Sequence, residues 1–249
     1  MIRNLFICLV IAIGEVSAQD YVFESSVNSA PILGNKIYLE PRISRASYST
    51  NDTTQTGYLY GINLGYDVFI YNAPYLGFEF DYISGTIKGD SLSSQYTDYS
   101  FEGRAGITLG TPCFYQLTPF LGTGYEKEKN DYKTTPIEKI DYYYISTGIF
   151  SQAWISPQLS IGFDLELKFP FHGNHKIKND SCKINSSICH KMQYFLNVPV
   201  TYWASSQLSL SAVPFYQHKH YDNNCVGDAW KSNAKMSQWG LGLRVAYFF

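Results

Sequence analysis

The stretch Gln238-Trp-Gly-Leu-Gly-Leu-Arg-Val-Ala-Tyr-Phe-Phe249 decides the fold. Every second residue from Trp239 (Leu241, Leu243, Val245, Tyr247, Phe249) is apolar, and the run begins and ends in aromatics. The other set, Gln238, Gly240, Gly242, Arg244, Ala246 and Phe248, is mostly small or polar and carries an arginine. A period of two is the signature of a strand, whose side chains point alternately to opposite faces. Soluble sheets alternate too, so the rest of the chain has to say what kind of sheet this strand closes.

The same period recurs along the chain. Segments 36–45, 57–69, 75–83, 99–110, 159–169 and 192–202 each set an apolar row against a polar one, as in Leu159, Ile161, Phe163, Leu165, Leu167 and Phe169 against Ser160, Gly162, Asp164, Glu166 and Lys168. Segments 117–127, 142–152 and 208–217 alternate less cleanly. With the closing strand this makes about ten strands, with eight possible, each near the ~9–11 residues of a tilted membrane-crossing strand. The 22 tyrosines and 16 phenylalanines, with only 16% charged residues, fit many short strands. No apolar run beyond the first residues approaches the ~20 needed by a membrane helix.

The connections alternate in length. Those at 46–56, 84–98, 128–141, 170–191 and 218–237 are long; those at 70–74, 111–116, 153–158 and 203–207 are short. That asymmetry is expected of a membrane barrel with tight turns on one side and loops on the other, and an even strand count puts both ends of the chain on the short side. The charged residues agree. Glu40, Arg42, Asp67, Glu79, Asp81, Glu102, Arg104, Asp164, Glu166, Lys168 and Arg244 all fall on the polar set of their strands. Facing lipid, a base would cost ~2–4 kcal/mol at the midplane; facing a lumen, acids and bases can pair, so these residues are expected to form an ionic network. Tyr58, Tyr66, Tyr82, Tyr99, Tyr202, Trp239 and Phe249 lie near strand ends, where interfacial aromatic girdles sit.

The first 18 residues have one positive charge, an apolar run over 5–13 and small residues up to Ala18, the layout of a signal peptide cleaved after Ala18. Three parts are thus expected: a signal at 1–18, a periplasmic segment at 19–35 and a transmembrane β-barrel at 36–249. Of 19 basic and 21 acidic residues the signal holds one of each, so the net charge stays at -2 and no nucleic-acid partner is expected.

Taken together, the signal, the alternation, the loop asymmetry and the terminal Tyr247-Phe248-Phe249 resemble the small outer-membrane β-barrels of Gram-negative bacteria, the opacity-protein and OmpA/OmpX-like group. The resemblance implies an all-β, antiparallel up-and-down barrel in the outer membrane. It also implies that Tyr247 and Phe249 form the end read by the barrel assembly machinery. Members of this group include adhesins, structural barrels, narrow channels and occasional enzymes, so the resemblance locates the protein better than it assigns a task.

Candidate chemistry is sparse. Cys182 and Cys189 share the longest predicted outer loop, and a bridge between them is plausible in an oxidising exterior, with Cys182–Cys225 as the other option. His172, His175 and His190 near those cysteines match no zinc spacing, so no metal or cofactor is expected. The omptin family of ten-stranded outer-membrane proteases uses facing D-x-D and D-x-H pairs at the rim. The nearest pieces here, Glu79-Phe-Asp81 and His220-Tyr-Asp222, replace one aspartate and reverse the other order. The expected function is therefore non-enzymatic: a surface protein whose long loops contact an extracellular ligand from a barrel embedded in outer-membrane lipid. A narrow channel is the alternative.

Overall fold

The computed structural model describes residues 34–50, 53–69, 72–89, 93–111, 114–132, 137–179, 182–187, 189–190, 192–222 and 234–249. The expected signal peptide and the periplasmic segment up to residue 33 lie outside the described residues. The strands are β1 (Asn35–Ser49), β2 (Thr54–Val68), β3 (Ala73–Lys88), β4 (Ser93–Thr111), β5 (Tyr115–Tyr132), β6 (Ile137–Ser156), β7 (Leu159–Asn179), β8 (Cys182–Ser187), β9 (Cys189–His190), β10 (Gln193–Asn197), β11 (Val200–Trp203), β12 (Leu208–Asp222) and β13 (Ala234–Phe248). All belong to one sheet in which every pairing is antiparallel, and β1 pairs with β13 to close it.

The short strands β8 to β11 lie in line between β7 and β12. Their register against β7 is unbroken: Cys182 faces Asn179, Gln193 faces Lys168 and Val200 faces Ile161. They are one interrupted stave, which makes a closed barrel of ten. One interruption falls at Val198–Pro199, where proline has no N–H to give the ladder. The stave holds its place there because Val198 N donates to Pro214 O (3.0 Å) and Pro199 O accepts from Gly162 N (2.7 Å). At the closure, Asn35 and Phe249 exchange backbone bonds of 3.1 and 3.0 Å, so the two ends of the barrel meet on the short-turn side. Asn72 closes one of these turns, directly before β3, with φ 52, a left-handed conformation asparagine tolerates.

The barrel is inverted relative to a water-soluble domain. Its outer wall carries Ile37, Leu39, Phe78, Phe101, Leu121, Ile145, Leu241, Leu243 and Val245, all exposed, while Glu40, Asn63, Thr108, Glu126, Ser146 and Gln238 are buried inside. Exposed apolar area costs about 25 cal/mol per Å² in water; a band of it around a closed sheet matches a hydrocarbon surround. Among the described residues no helix is long and apolar enough to cross a membrane. The aromatics Tyr58, Tyr66, Tyr82, Tyr202, Trp239 and Phe249 all face outward.

The outer connections differ from expectation. Most of the residues read as long loops are strand: β3 runs to Lys88, β4 begins at Ser93, β5 runs to Tyr132 and β7 to Asn179. Strands of 15 to 21 residues exceed the ~9–11 needed to cross, so the ladder continues beyond the apolar belt as a tall outer extension. The remaining gaps at that end are short, apart from 223–233, which lies outside the described residues. The physical reason is simple. Beyond the membrane both faces of a strand can be polar, so hydrophobic alternation fades while backbone pairing persists.

Phe249 sits at the closing edge with its ring exposed and stacked 6.2 Å from that of Tyr247. Deleting it removes both backbone bonds to Asn35. The amount of folded protein in the membrane fraction is expected to fall several-fold, measured by heat-resistant electrophoretic migration. An undiminished level would count against this end as the assembly signal.

Candidate functional site

The lumen holds the residues that alternation assigned to it, in two linked layers of charge. In the first, Glu40 is fully buried and accepts from Arg42 Nε (2.5 Å) and Arg244 Nε (2.6 Å). Arg42 also pairs with Asp81, which takes a further bond from Asn63 (3.1 Å). Gly242 makes room for this arrangement: a Cβ there would lie 2.5 Å from Glu40 Oε1. In the second layer Arg104 donates to Glu79 (2.8 Å), Glu102 (2.6 Å) and Glu166 (3.0 Å). Lys168 stands 3.7 Å from Glu102 and Glu166. Tyr38 OH (2.9 Å) reaches Glu79, and Tyr144 OH (2.9 Å) reaches Glu102.

Aromatic faces complete the desolvated cations. Arg104 lies 5.2 Å from the ring centres of Phe120 and Phe150, and Arg42 lies 5.5 Å from those of Phe195 and Phe215. Nine of the eleven charged residues expected in the lumen join these layers. Asp67 does not; it pairs with Lys36 (2.7 Å) and Tyr75 OH (2.7 Å) nearer the short-turn end. Asp164 is buried on the wall of a cavity of about 100 Å³, with no ion pair among the described residues.

A third cluster escaped the sequence reading. Lys219 Nζ, almost wholly buried, donates to Asp98 (2.5 Å), Glu128 (3.0 Å) and Glu126. The three carboxylates lie within 4.8 Å of one another, a spacing that fits a cation, and the lysine ammonium supplies that charge. Lys168, 3.9 Å from Glu126, links this cluster to the Arg104 layer. Asp98, Glu128 and Lys219 fall in segments read as loops. The signal that would have found them is the continuing alternation of Glu126, Glu128 and Asn130, all buried, with Lys127 and Lys129 between them. Around the cluster Leu59, Ile83, Ile87, Tyr96, Ile140, Tyr142 and Met236 form an apolar core inside the outer half of the barrel.

The expected Cys182–Cys189 bridge falls on side chains outside the described residues. The backbone places Cys182 opposite Asn179 and Cys189 opposite Asp222. Cys113 and Cys225 lie outside the described residues.

No protein-family model matches the chain, and no curated protein matches it in sequence. Solved structures do. The chain is similar to the outer membrane protease OmpT from Escherichia coli, with TM-score 0.60 and 9% identity over 90% of this chain and 100% of that one. It is similar to the translocator domain of the autotransporter NalP from Neisseria meningitidis, with TM-score 0.50 and 9% identity over 99% and 96% of the two chains. The fold is that of the bacterial outer-membrane β-barrels. At such identities the likeness extends to fold alone. Of the residues that loosely matched a protease rim, Glu79 and Asp81 are engaged by Arg104 and Arg42, and His220 lies on the opposite strand face from the lumenal Lys219. The side chain of Asp222 lies outside the described residues.

Proposed function

We propose that the protein is a non-enzymatic outer-membrane surface protein, a scaffold barrel closed to free ion flow whose working part is the extension standing outside the membrane. The observation that carries this reading is the filled lumen: two layers of paired charge, the Lys219 cluster and an apolar core occupy the bore from its middle outward. Barrels of about eight strands are filled by side chains, and open aqueous channels belong to those of about 16–18. A barrel with a blocked bore and strands continued past the membrane spends its length on displaying an outer surface. Its partners on this reading are outer-membrane lipid, the assembly machinery that reads Tyr247 and Phe249, and an extracellular ligand met by the extension rather than by long loops. Adhesion or a related surface contact is the role, following export by a signal cleaved after Ala18.

Purified refolded protein in a planar bilayer tests the central claim. The expected result is insertion without steady conductance. Steady, well-resolved openings in the unmodified protein would replace this reading with the channel. Cells displaying the protein are expected to bind coated surfaces better than cells displaying a barrel shortened across the β5–β6 and β7–β8 hairpins, with equal surface levels.

A further inference from the structure

The cavity of about 100 Å³ that Asp164 lines runs inward from the short-turn end to the charge layers. Trp203 and Phe248, the last residues of β11 and β13, border it at that end, and Arg104 and Glu166 at the other. Ser209 and Ala246, directly opposed and both small, leave the space between. At the mouth the rings pack on one another, Trp154–Trp203 at 6.3 Å and Trp203–Phe248 at 5.0 Å.

The wall of this cavity holds hydrogen-bonding capacity that the protein leaves unused. Asn197 and Asp164 lie directly opposite each other on neighbouring strands, and both are buried. Among the described residues Asn197 Oδ1 has no hydrogen-bond partner and Asp164 has no ion pair. Directly opposed residues have Cβ atoms ~4.5–5.5 Å apart, so these two acceptors stand side by side. The unused donors are Arg244 and Trp154, which line the same cavity. Arg244 Nε donates to Glu40 (2.6 Å), while its two Nη atoms have no hydrogen bond among the described residues. Trp154 Nε1 is buried without a partner. Leaving buried polar atoms unpaired is costly, and here the unpaired atoms are of both kinds around one space.

Their chemistry specifies what would pair them. A carboxylate beside an amide oxygen accepts the N–H bonds of an ammonium. The free edge of a guanidinium takes a carboxylate in a two-pronged fork, and an indole N–H adds a third donor. A cavity of ~150 Å³ takes up benzene, so this smaller one has room for about five heavy atoms. A molecule of that size with an ammonium at one end and a carboxylate at the other is a small amino acid.

We propose that the pocket binds a small zwitterionic amino acid, its ammonium on Asp164 and Asn197 and its carboxylate on Arg244 and Trp154. On the reading of a blocked bore the site is a blind pocket at the end opposite the outer extension, and it binds its ligand without passing it on.

The test uses the full chain refolded in detergent micelles, where both ends of the barrel are open to solvent, with binding followed by calorimetry. The probes are glycine, glycolate (a hydroxyl in place of the ammonium), glycinamide (an amide in place of the carboxylate) and phenylalanine. Glycine is expected to saturate the site and to bind roughly tenfold or more tighter than glycolate or glycinamide, each of which lacks one charged contact. Phenylalanine is expected not to bind, being too large. Asp164→Asn is expected to weaken glycine roughly tenfold and leave glycolate unchanged, a selectivity that a general loosening of the fold would not produce. Trp154→Phe keeps a ring at the mouth, removes the N–H and should weaken glycine and glycolate alike. Heat-resistant migration checks that each variant folds, and the comparison of probes on the unmodified protein needs no variant. Conductance is read separately: a steady pore with the same preference for glycine would remove the blocked bore and leave this site standing. Absence of saturable glycine binding would show a cavity holding water alone. That result, or glycolate or glycinamide binding as tightly as glycine, overturns the proposal.

Discussion

Replacing Arg104 with methionine is expected to destabilise the barrel by about 3–5 kcal/mol, the range for removing one partner of a buried ion pair. Arg104 is bonded to Glu79, Glu102 and Glu166 at once, so a single substitution strips the closest cation from three lumenal carboxylates. Methionine keeps much of the contact with Phe120 and Phe150, which makes lost charge rather than lost volume the dominant effect. The measurement is the shift in urea midpoint for unfolding from vesicles, compared with Lys88→Met on the exposed outer wall, where a change within about 0.5 kcal/mol is expected. In a planar bilayer the same variant is expected to leak, as water and ions hydrate the unpaired acids. If Arg104→Met behaves as Lys88→Met does in both assays, the lumenal network is not what closes this barrel.

Lys219→Met is expected to have an effect of similar size with a different cure. The ammonium is the cation for Asp98, Glu126 and Glu128, whose oxygens lie within 4.8 Å of one another. Without it, three buried carboxylates are left facing one another, a donor set of the kind hard divalent cations take. Millimolar calcium is therefore expected to raise the unfolding temperature of the variant and leave the unmodified protein unchanged, because the lysine already occupies the position. A ligand at 100 times its dissociation constant stabilises by about 2.7 kcal/mol, enough to see as a shift of several degrees. Adding Glu126→Gln to Lys219→Met should abolish the calcium response. Equal responses of variant and unmodified protein would show that the lysine is not acting as a tethered cation.

These two predictions differ in how far the sequence led to them. Arg104 sits mid-strand in the membrane, where Ala105 and Ile107 on the apolar set mark its face, and its lumenal position follows from period two alone. Lys219 lies between His218 and His220, with polar residues on both faces, and nothing in that local pattern separates strand from loop. The cross-strand row of Lys129 (β5), Lys139 (β6) and Lys176 (β7) was hidden for the same reason. Lys127 and Lys129 alternate with Glu126 and Glu128, and in sequence this reads as a solvated charge run until the ladder shows which residues face in.

The sequence by itself determined the all-β class, the near count of ten staves, the closing strand and the face to which each membrane-level residue points. It could do so because a strand's side-chain period is independent of tertiary context, and the contrast between hydrocarbon outside and a polar lumen prints that period as apolar and polar rows. Only the tertiary structure decided where strands end beyond the belt, how the eighth stave survives its break at Pro199, and which charges meet. Asp98 and Lys219 are 121 residues apart, and Lys129, Lys139 and Lys176 come from three strands. Their encounters depend on the register with which the sheet closes and on one bulge at residue 171, and a change of one residue in either would pair a different set of charges.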